Sequence, residues 1–276
     1  YEMQNNFKQA EIYIKKSSDI YINSGEKDSI EASIGYEDLG SLYSAKGSYE
    51  KAIANYKKSL AIKEKFYKKN NPEISSSEIS LAFAYSQLND FSKSSELFKN
   101  ASEKDLIYLK NELPLLSLSE RQSFYETYLF TDDYLFSVAS KNNDLTKIAL
   151  FKRINNQGLL EEIEKRQSNL KSLPKSAQKV SSELSAINSE LANIKISKKE
   201  KNNLEVQKSK LERILFKMLP TYKPVIISIN DIAEQLGNDD ILIEYQLYHP
   251  VAKNYENLDS RYLAFTLDNQ KNVKIY

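Results

Sequence analysis

The sequence predicts a mostly α-helical protein: a solenoid of stacked 42-residue repeats, then a helical hairpin, then a small incomplete α/β segment. Three observations carry this expectation. Tyr43, Tyr49, Ala52 and Tyr56 recur 42 residues later as Tyr85, Phe91, Ser94 and Phe98, and the same frame projects back onto Tyr1, Phe7, Ala10 and Ile14. Val180, Leu184, Ile187, Leu191 and Ile194 step by four, three, four and three, the spacing of a coiled-coil seam. Strand-like runs rich in β-branched and aromatic residues gather late in the chain, at Ile241–Tyr245, Tyr262–Leu267 and Val273–Tyr276.

Composition narrows the function classes. With Lys+Arg 39 against Asp+Glu 38, the 276-residue chain has a formal charge of +1, so no whole-chain field draws it to nucleic acid or an anionic membrane. Cys 0 excludes a disulfide framework, thiolate metal sites and a cysteine nucleophile within these residues, and His 1 excludes a histidine-rich metal site. No run approaches the roughly 18 apolar residues of a membrane span, and a cytoplasmic location is expected. Gly 6 and Pro 6 are few breakers for this length, which favours long helices. Tyr1 falls mid-repeat and Val273–Tyr276 stops in a strand-like run, so a piece of a larger protein is expected.

The repeat zone covers residues 1–116. In its second unit Tyr36, Leu39, Gly40 and Tyr43 lie on one side of a helix. After a turn at Lys46-Gly47-Ser48, the residues Tyr49, Ala52, Ile53, Tyr56 and Leu60 continue on the next helix. Gly40 and Ala52 are small where two helices approach, and aromatics fill the space around them. The third unit repeats this with Leu81, Ala82 and Tyr85, a turn at Asn89-Asp90, and then Phe91, Leu97 and Phe98. Between units, Lys68-Lys69-Asn70-Asn71-Pro72 reads as a helix stop and restart. The pattern Tyr36-x2-Leu39-Gly40-x2-Tyr43 followed by Ala52-x3-Tyr56 resembles the tetratricopeptide repeat, in the long form found in kinesin light chains.

Residues 117–173 read as a helical continuation of the solenoid. Ser119 is the expected N-cap of a helix carrying Phe124, Tyr128, Tyr134, Leu135 and Val138. Asn142-Asn143-Asp144 is a break, and a long helix through Ile148, Phe151, Ile154, Leu159, Leu160 and Ile163 contains Gly158. Residues 174–219 read as an antiparallel hairpin: Pro174 opens the seam, Lys198-Lys199-Glu200-Lys201 forms a charged corner, and Leu204, Leu211, Leu215 and Met218 run back. It is either a plain structural hairpin or a partner-binding arm. Residues 220–276, after Pro220, hold a brief helix over Ser228–Leu236, the strand-like runs, and a connection at Asp268–Asn272.

This order is similar to proteins that place a CHAT domain, a caspase-like peptidase module, behind tetratricopeptide repeats. Three stretches carry the likeness: Leu116–Arg121, Leu150–Glu162 with Asn155-Asn156-Gln157-Gly158-Leu159-Leu160, and Asp240–Tyr245 followed by Arg261–Phe265. The resemblance implies that residues 220–276 are the opening strands of a truncated CHAT-like domain. The family's catalysis uses a histidine and a cysteine further along. This chain has no cysteine, and His249 does not match the family's histidine. No catalytic dyad is therefore expected here, and the fragment itself is not expected to be an enzyme.

Other chemistry has bland readings. Asp132-Asp133 and Asp239-Asp240 read as helix caps or solvated loop residues, Glu161, Glu162 and Glu164 as an exposed helix face, and His249 as a surface loop residue. No phosphate-binding glycine loop or EF-hand spacing appears, so no cofactor or metal is expected. Lys68-Lys69-Asn70-Asn71 and the Lys198 cluster read as solvated loops, which argues against nucleic acid. In a tetratricopeptide array the first helix of each unit lines the concave side. The resemblance then implies partner-facing residues Ile34, Glu37, Asp38, Ser41 and Ser44 in one unit, and Ile79, Ser80, Phe83 and Gln87 in the next. Phe83 is either an apolar anchor in that groove or a residue covered by the next helix. Glu37 and Asp38 would repel an acidic peptide, so a neutral or basic segment is the expected partner. Two functions follow. One is the scaffold and regulatory region of a repeat-controlled cysteine peptidase. The other is a non-catalytic adaptor that assembles protein complexes.

Overall fold

The computed structural model describes residues 2–23, 28–168, 174–192, 196–219, 225–251 and 259–276. Tyr1, Ile194, Pro220 and the side chains of Phe7 and Ala10 lie outside the described residues. The elements in chain order are α1 (Glu2–Asn23), α2 (Ile30–Ala45), α3 (Tyr49–Phe66), α4 (Pro72–Gln87), α5 (Phe91–Glu112), α6 (Leu118–Val138), α7 (Asn143–Asn156), α8 (Leu159–Ser168), α9 (Lys175–Leu191), α10 (Lys198–Met218), α11 (Ile229–Ala233), β1 (Ile241–Tyr248), β2 (Arg261–Asp268) and β3 (Val273–Ile275). They divide into two compact units: Tyr1–Leu106 with Thr131–Asn155 and Ile227–Tyr276, and Ile107–Phe130 with Asn156–Ile226.

The first unit begins with the repeats. Consecutive helices α1, α2, α3 and α4 pack pairwise as a solenoid requires. The two complete units turn in the same way. Gly47 (φ 71°) and Asn89 (φ 60°), 42 residues apart, take the left-handed conformation that ends the first helix of each pair. The backbone N–H groups of Ser48 and Asp90 then donate to the carbonyls of Tyr43 and Tyr85, at 2.8 and 3.0 Å. Tyr43 and Tyr85 share one apolar cluster with Tyr49, Ala52, Tyr56, Leu81 and Ala84. Lys51 and Lys93, again 42 apart, sit over the Tyr43 and Tyr85 rings at 5.6 and 5.1 Å. Gly40 has a steric reason: a Cβ there would fall 2.5 Å from the Tyr56 ring. The restart at Pro72 also holds, with the Asn71 side chain accepting from Glu73 N–H at 2.9 Å.

The strands belong to the same unit. They form a three-stranded antiparallel sheet in the order β1-β2-β3. Its inner face, with Tyr248, Leu263, Phe265, Leu267 and Val273, shares one core with Ile79, Phe83 and Phe98 of the repeats, Leu135 and Phe136 of α6, and Leu145 and Leu150 of α7. Strand alternation sends these side chains inward together, because residues two apart share a face. Asp268 closes the β2–β3 turn by accepting from the backbone N–H groups of Gln270 and Asn272, both at 2.9 Å.

The second unit is built on Leu109, Leu113, Tyr128, Leu159 and Ile163. Two local expectations change here. The cap of α6 is Ser117 rather than Ser119: the Ser117 N–H and hydroxyl both reach Glu120, at 3.1 and 2.7 Å. Leu118 is thus already helical, which places Ser119 one turn position too late for a cap. Gly158 does not sit inside a helix. At φ 65° it separates α7 from α8, a conformation that costs glycine nothing.

The hairpin residues form α9 and α10, which pack on one another. Lys198–Lys201 is the first turn of α10, not the corner. Ser197 caps it, accepting from Glu200 N–H at 3.2 Å while the Glu200 carboxylate accepts from Ser197 N–H at 3.0 Å. The seam residues Val180, Leu184, Ile187, Leu191, Leu204 and Leu211 are half-buried, and Leu215 is buried.

Candidate functional site

The candidate surface lies on α2 and α4, the first helices of the two complete repeats. α2 is launched by Ser29, whose hydroxyl accepts from Ala32 N–H at 3.2 Å. Along it, Ile34 is exposed, and Glu37, Asp38, Ser41 and Ser44 are half-buried. On α4, Ser80 and Gln87 are half-buried, but Ile79 and Phe83 are in the core.

Phe83 is therefore not an open anchor. It is 7% exposed and meets the Tyr134 ring edge-to-face, with centroids 5.1 Å apart. Ile79 joins the same core. The reason is that α6 and the sheet pack onto this unit and cover residues that the repeat frame alone leaves facing outward. The open part of the surface is thus Ile34, Asp38, Ser41 and Ser44 on α2, with Ser80 and Gln87 on α4.

Its electrostatics differ from a bare reading of the acids. Glu37 pairs with the buried ammonium of Lys63 and accepts from the Ser77 hydroxyl at 3.2 Å. Lys63 also reaches the Glu73 carboxylate at 2.9 Å. Burial opposes the charge on Lys63, yet Glu37 and Glu73 outweigh it and raise its pKa. Glu37 is therefore a structural ion-pair partner linking α2 to α3. Burial alone pushes the Asp38 carboxyl up. Ser41 accepts a hydrogen bond from the Tyr56 hydroxyl at 3.3 Å, so it is tied into the repeat core.

A second buried charge network lies in the same unit. Lys152 of α7 is 2% exposed and pairs with Asp105 of α5 at 2.9 Å and Asp132 of α6 at 3.0 Å. Asp105 also accepts from the Ser75 hydroxyl of α4. Burial pushes Asp132 up to about 6, against the pull of Lys152. Burial also opposes the charge on Lys152, but its two carboxylates raise its pKa overall. Asp132 and Asp133 are thus buried helix residues, not solvated caps. Asp133 accepts from His249 N–H at 3.1 Å and lies 3.3 Å from His249 Nδ1, while the His249 ring stays exposed. Sequence reasoning missed the Lys63 and Lys152 networks. Their one outward signal was that Lys63 and Asp105, both buried, occupy equivalent positions 42 apart.

Among the described residues, no group of three or more histidine, cysteine or acidic side chains is arranged to hold a metal ion. Among them also, no helix is long and apolar enough to cross a membrane. The side chains on α2 and α4 that are not in the core are apolar, hydroxyl, amide and carboxylate groups.

The tetratricopeptide repeat family model matches residues 1–65 and 31–104. The N-terminal region is similar to tetratricopeptide repeats. The geometry agrees, since the matched segments contain both turns and both tyrosines that the 42-residue frame relates. No curated protein matches the chain. Tetratricopeptide repeats imply protein partners. The match ends at residue 104, so the CHAT-like reading of residues 220–276 rests on the sequence resemblance.

Proposed function

We propose that this chain is the partner-binding and regulatory region of a repeat-controlled, caspase-like cysteine peptidase, with the catalytic histidine and cysteine supplied outside these residues. The observation that carries the binding half is the pair of equivalent repeat helices, α2 and α4, on which Ile34 is exposed and the equivalent positions Asp38 and Ser80 are half-buried. The peptidase half is supported by the order of elements and by the segments that resemble a CHAT domain. A solenoid suits regulation because small adjustments between neighbouring units add along its length. The chain acts as scaffold and does no chemistry itself, in the cytoplasm, on a protein rather than a nucleic acid.

The partner segment is neutral or basic. Glu37 is neutralised by Lys63, and Asp38 beside it, with Glu31 in the first turn of α2, selects against acidic ligands. Calorimetry of the chain with three peptides differing only in charge tests this. Asp38→Lys should weaken the basic peptide about tenfold, a modest electrostatic effect of roughly 1.4 kcal/mol, and favour the acidic one. Preference of the wild-type chain for the acidic peptide would overturn the reading. One alternative is a non-catalytic adaptor, since binding accounts for the features within these residues. A bound partner that never alters proteolysis by the complete protein would decide for it.

A further inference from the structure

We propose that the outer stripe of α10 in one copy of this chain packs antiparallel on the open stripe of α2 in a second copy. The inference rests on α2 being the partner-facing helix, and it names the basic segment that this helix receives. On α2, Glu31, Ile34, Asp38, Ser41 and Ala45 step by three, four, three and four, so they share one side of the helix. Glu31 is exposed, Ile34 is 42% exposed, and Asp38, Ser41 and Ala45 are half-buried. The stripe reads acid, apolar, acid, then two small uncharged residues.

Helix α10 carries the complement. One of its sides packs on α9. A second meets the start of α6: the Ser209 and Ser119 hydroxyls lie 3.3 Å apart, Glu212 accepts from Leu118 N–H at 3.0 Å, Arg213 pairs with Glu120, and the Arg121 guanidinium sits 4.4 Å from the Phe216 ring. The third side holds Lys217, Ile214, Lys210, Gln207 and Asn203. All five are exposed, Ile214 by 44%. Counted backward from Lys217 they step by three, four, three and four, the steps of the α2 stripe counted forward. An antiparallel pair therefore sets Lys217 against Glu31, Ile214 against Ile34, Lys210 against Asp38, Gln207 against Ser41 and Asn203 against Ala45. The match runs about 21 Å at helical rise.

The charges that meet are opposite at both positions, and the two isoleucines between them exclude water, the arrangement of a helical seam with charged flanks. Neighbouring charges are already engaged, Glu37 by Lys63 and Arg213 by Glu120. Among the described residues, Glu31, Asp38, Lys210 and Lys217 form no ion pair of their own. Lys8, Ile12 and Lys15 of α1 have the same spacing as Lys210, Ile214 and Lys217, but Lys15 is held by Glu11 at 2.7 Å. The occupant is a second copy because this chain itself carries the complement in register. The stripes are different surfaces, so each copy gives one and takes the other, and two copies that exchange both contacts close a reciprocal pair.

Sedimentation equilibrium up to about 100 µM tests this with two charge reversals, Glu31→Lys/Asp38→Lys and Lys210→Glu/Lys217→Glu. The wild type should associate. Each variant alone should shift the midpoint at least tenfold toward monomer with unchanged helical circular dichroism. An equimolar mixture of the two variants should associate like the wild type, because the reversed stripes of one copy then face those of the other. The native chain has no cysteine, so Ile34→Cys and Ile214→Cys chains add a second measurement. A bismaleimide spanning about 8–10 Å, the spacing of packed helices, should join one of each and neither to itself. A wild type that stays monomeric yet binds the basic peptide overturns this inference alone. A wild type that does neither overturns the reading of α2 as well. Association that the reversals do not weaken, or that the mixture does not restore, overturns the inference and places the contact elsewhere.

Discussion

The repeat helices and the α9–α10 hairpin are both written in regular apolar spacing, yet they bury that spacing to different depths. In the repeats, Ala52, Tyr56, Ile62, Tyr85 and Phe98 are buried. In the hairpin, Val180, Leu184 and Ile187 are only half-buried. The difference is one of neighbours. Helix α3 packs against both α2 and α4, whereas the α9 seam faces α10. A helix flanked on two sides also traps cations that the hairpin leaves in water. Lys63 and Lys152 are buried, Lys152 together with both of its carboxylates, while Lys179 of the hairpin, paired with Glu183 at 4.0 Å, is almost fully exposed. Burial depth follows the number of packed layers, and the worth of a charge follows burial depth.

The sharpest way to break this comparison is to remove Lys152. Lys152→Met leaves Asp105 and Asp132 buried without their cation and should cost about 3–5 kcal/mol in urea unfolding. The triple change Asp105→Asn, Asp132→Asn, Lys152→Met should recover most of that loss, because a buried ion pair is dear chiefly when half of it is missing. If the single variant unfolds like the wild type, the network is not a buried one.

The same network sets a pH dependence of up to about 3 kcal/mol, taking roughly two pKa units at 1.36 kcal/mol each. Burial holds Asp132 at about 6 in the folded chain, above the ordinary carboxyl value of 3.8. A raised folded pKa means that this group's stabilising contribution is fully present below the unfolded value and is lost as pH rises through the folded one. The stability of the wild type relative to Asp132→Asn should therefore fall between about pH 4 and pH 6. A difference that is flat or rises over that window contradicts the burial of Asp132.

Paired truncations sharpen the comparison at its mildest. Ile62→Ala, at a fully packed position, should cost about 2–4 kcal/mol, and Ile187→Ala, on the half-buried seam, about 1 kcal/mol. Equal costs would mean that the hairpin seam is as tightly covered as the repeat core.

What could be read from the chain was local or periodic. The turns at Gly47 and Asn89, the close approach at Gly40, the restart at Asn71-Pro72 and the strand segments all follow from residues within a few positions of one another or one repeat apart. The misread elements show the limit of that reach. Ser117 instead of Ser119, and Lys198 as a helix start instead of a corner, are shifts of a turn or less, where neighbouring residues compete for one cap. Glu37 is a larger misreading, as a groove acid, and Phe83 stayed open between a groove anchor and a covered residue. The residues that claim them, Lys63 and Tyr134, lie 26 and 51 positions away, beyond the reach of local spacing. The acids Asp132 and Asp133 were misread for the same reason.

Spacing along the chain was enough to dictate helices, turns, strands and the repeat register, since sterics and side-chain periodicity act over a few residues. Which acids are neutralised, which aromatics are covered and which sheet face stays open came from packing. Those outcomes depend on contacts between segments far apart in sequence, where burial strengthens or cancels a charge and decides whether an apolar side chain meets protein or water.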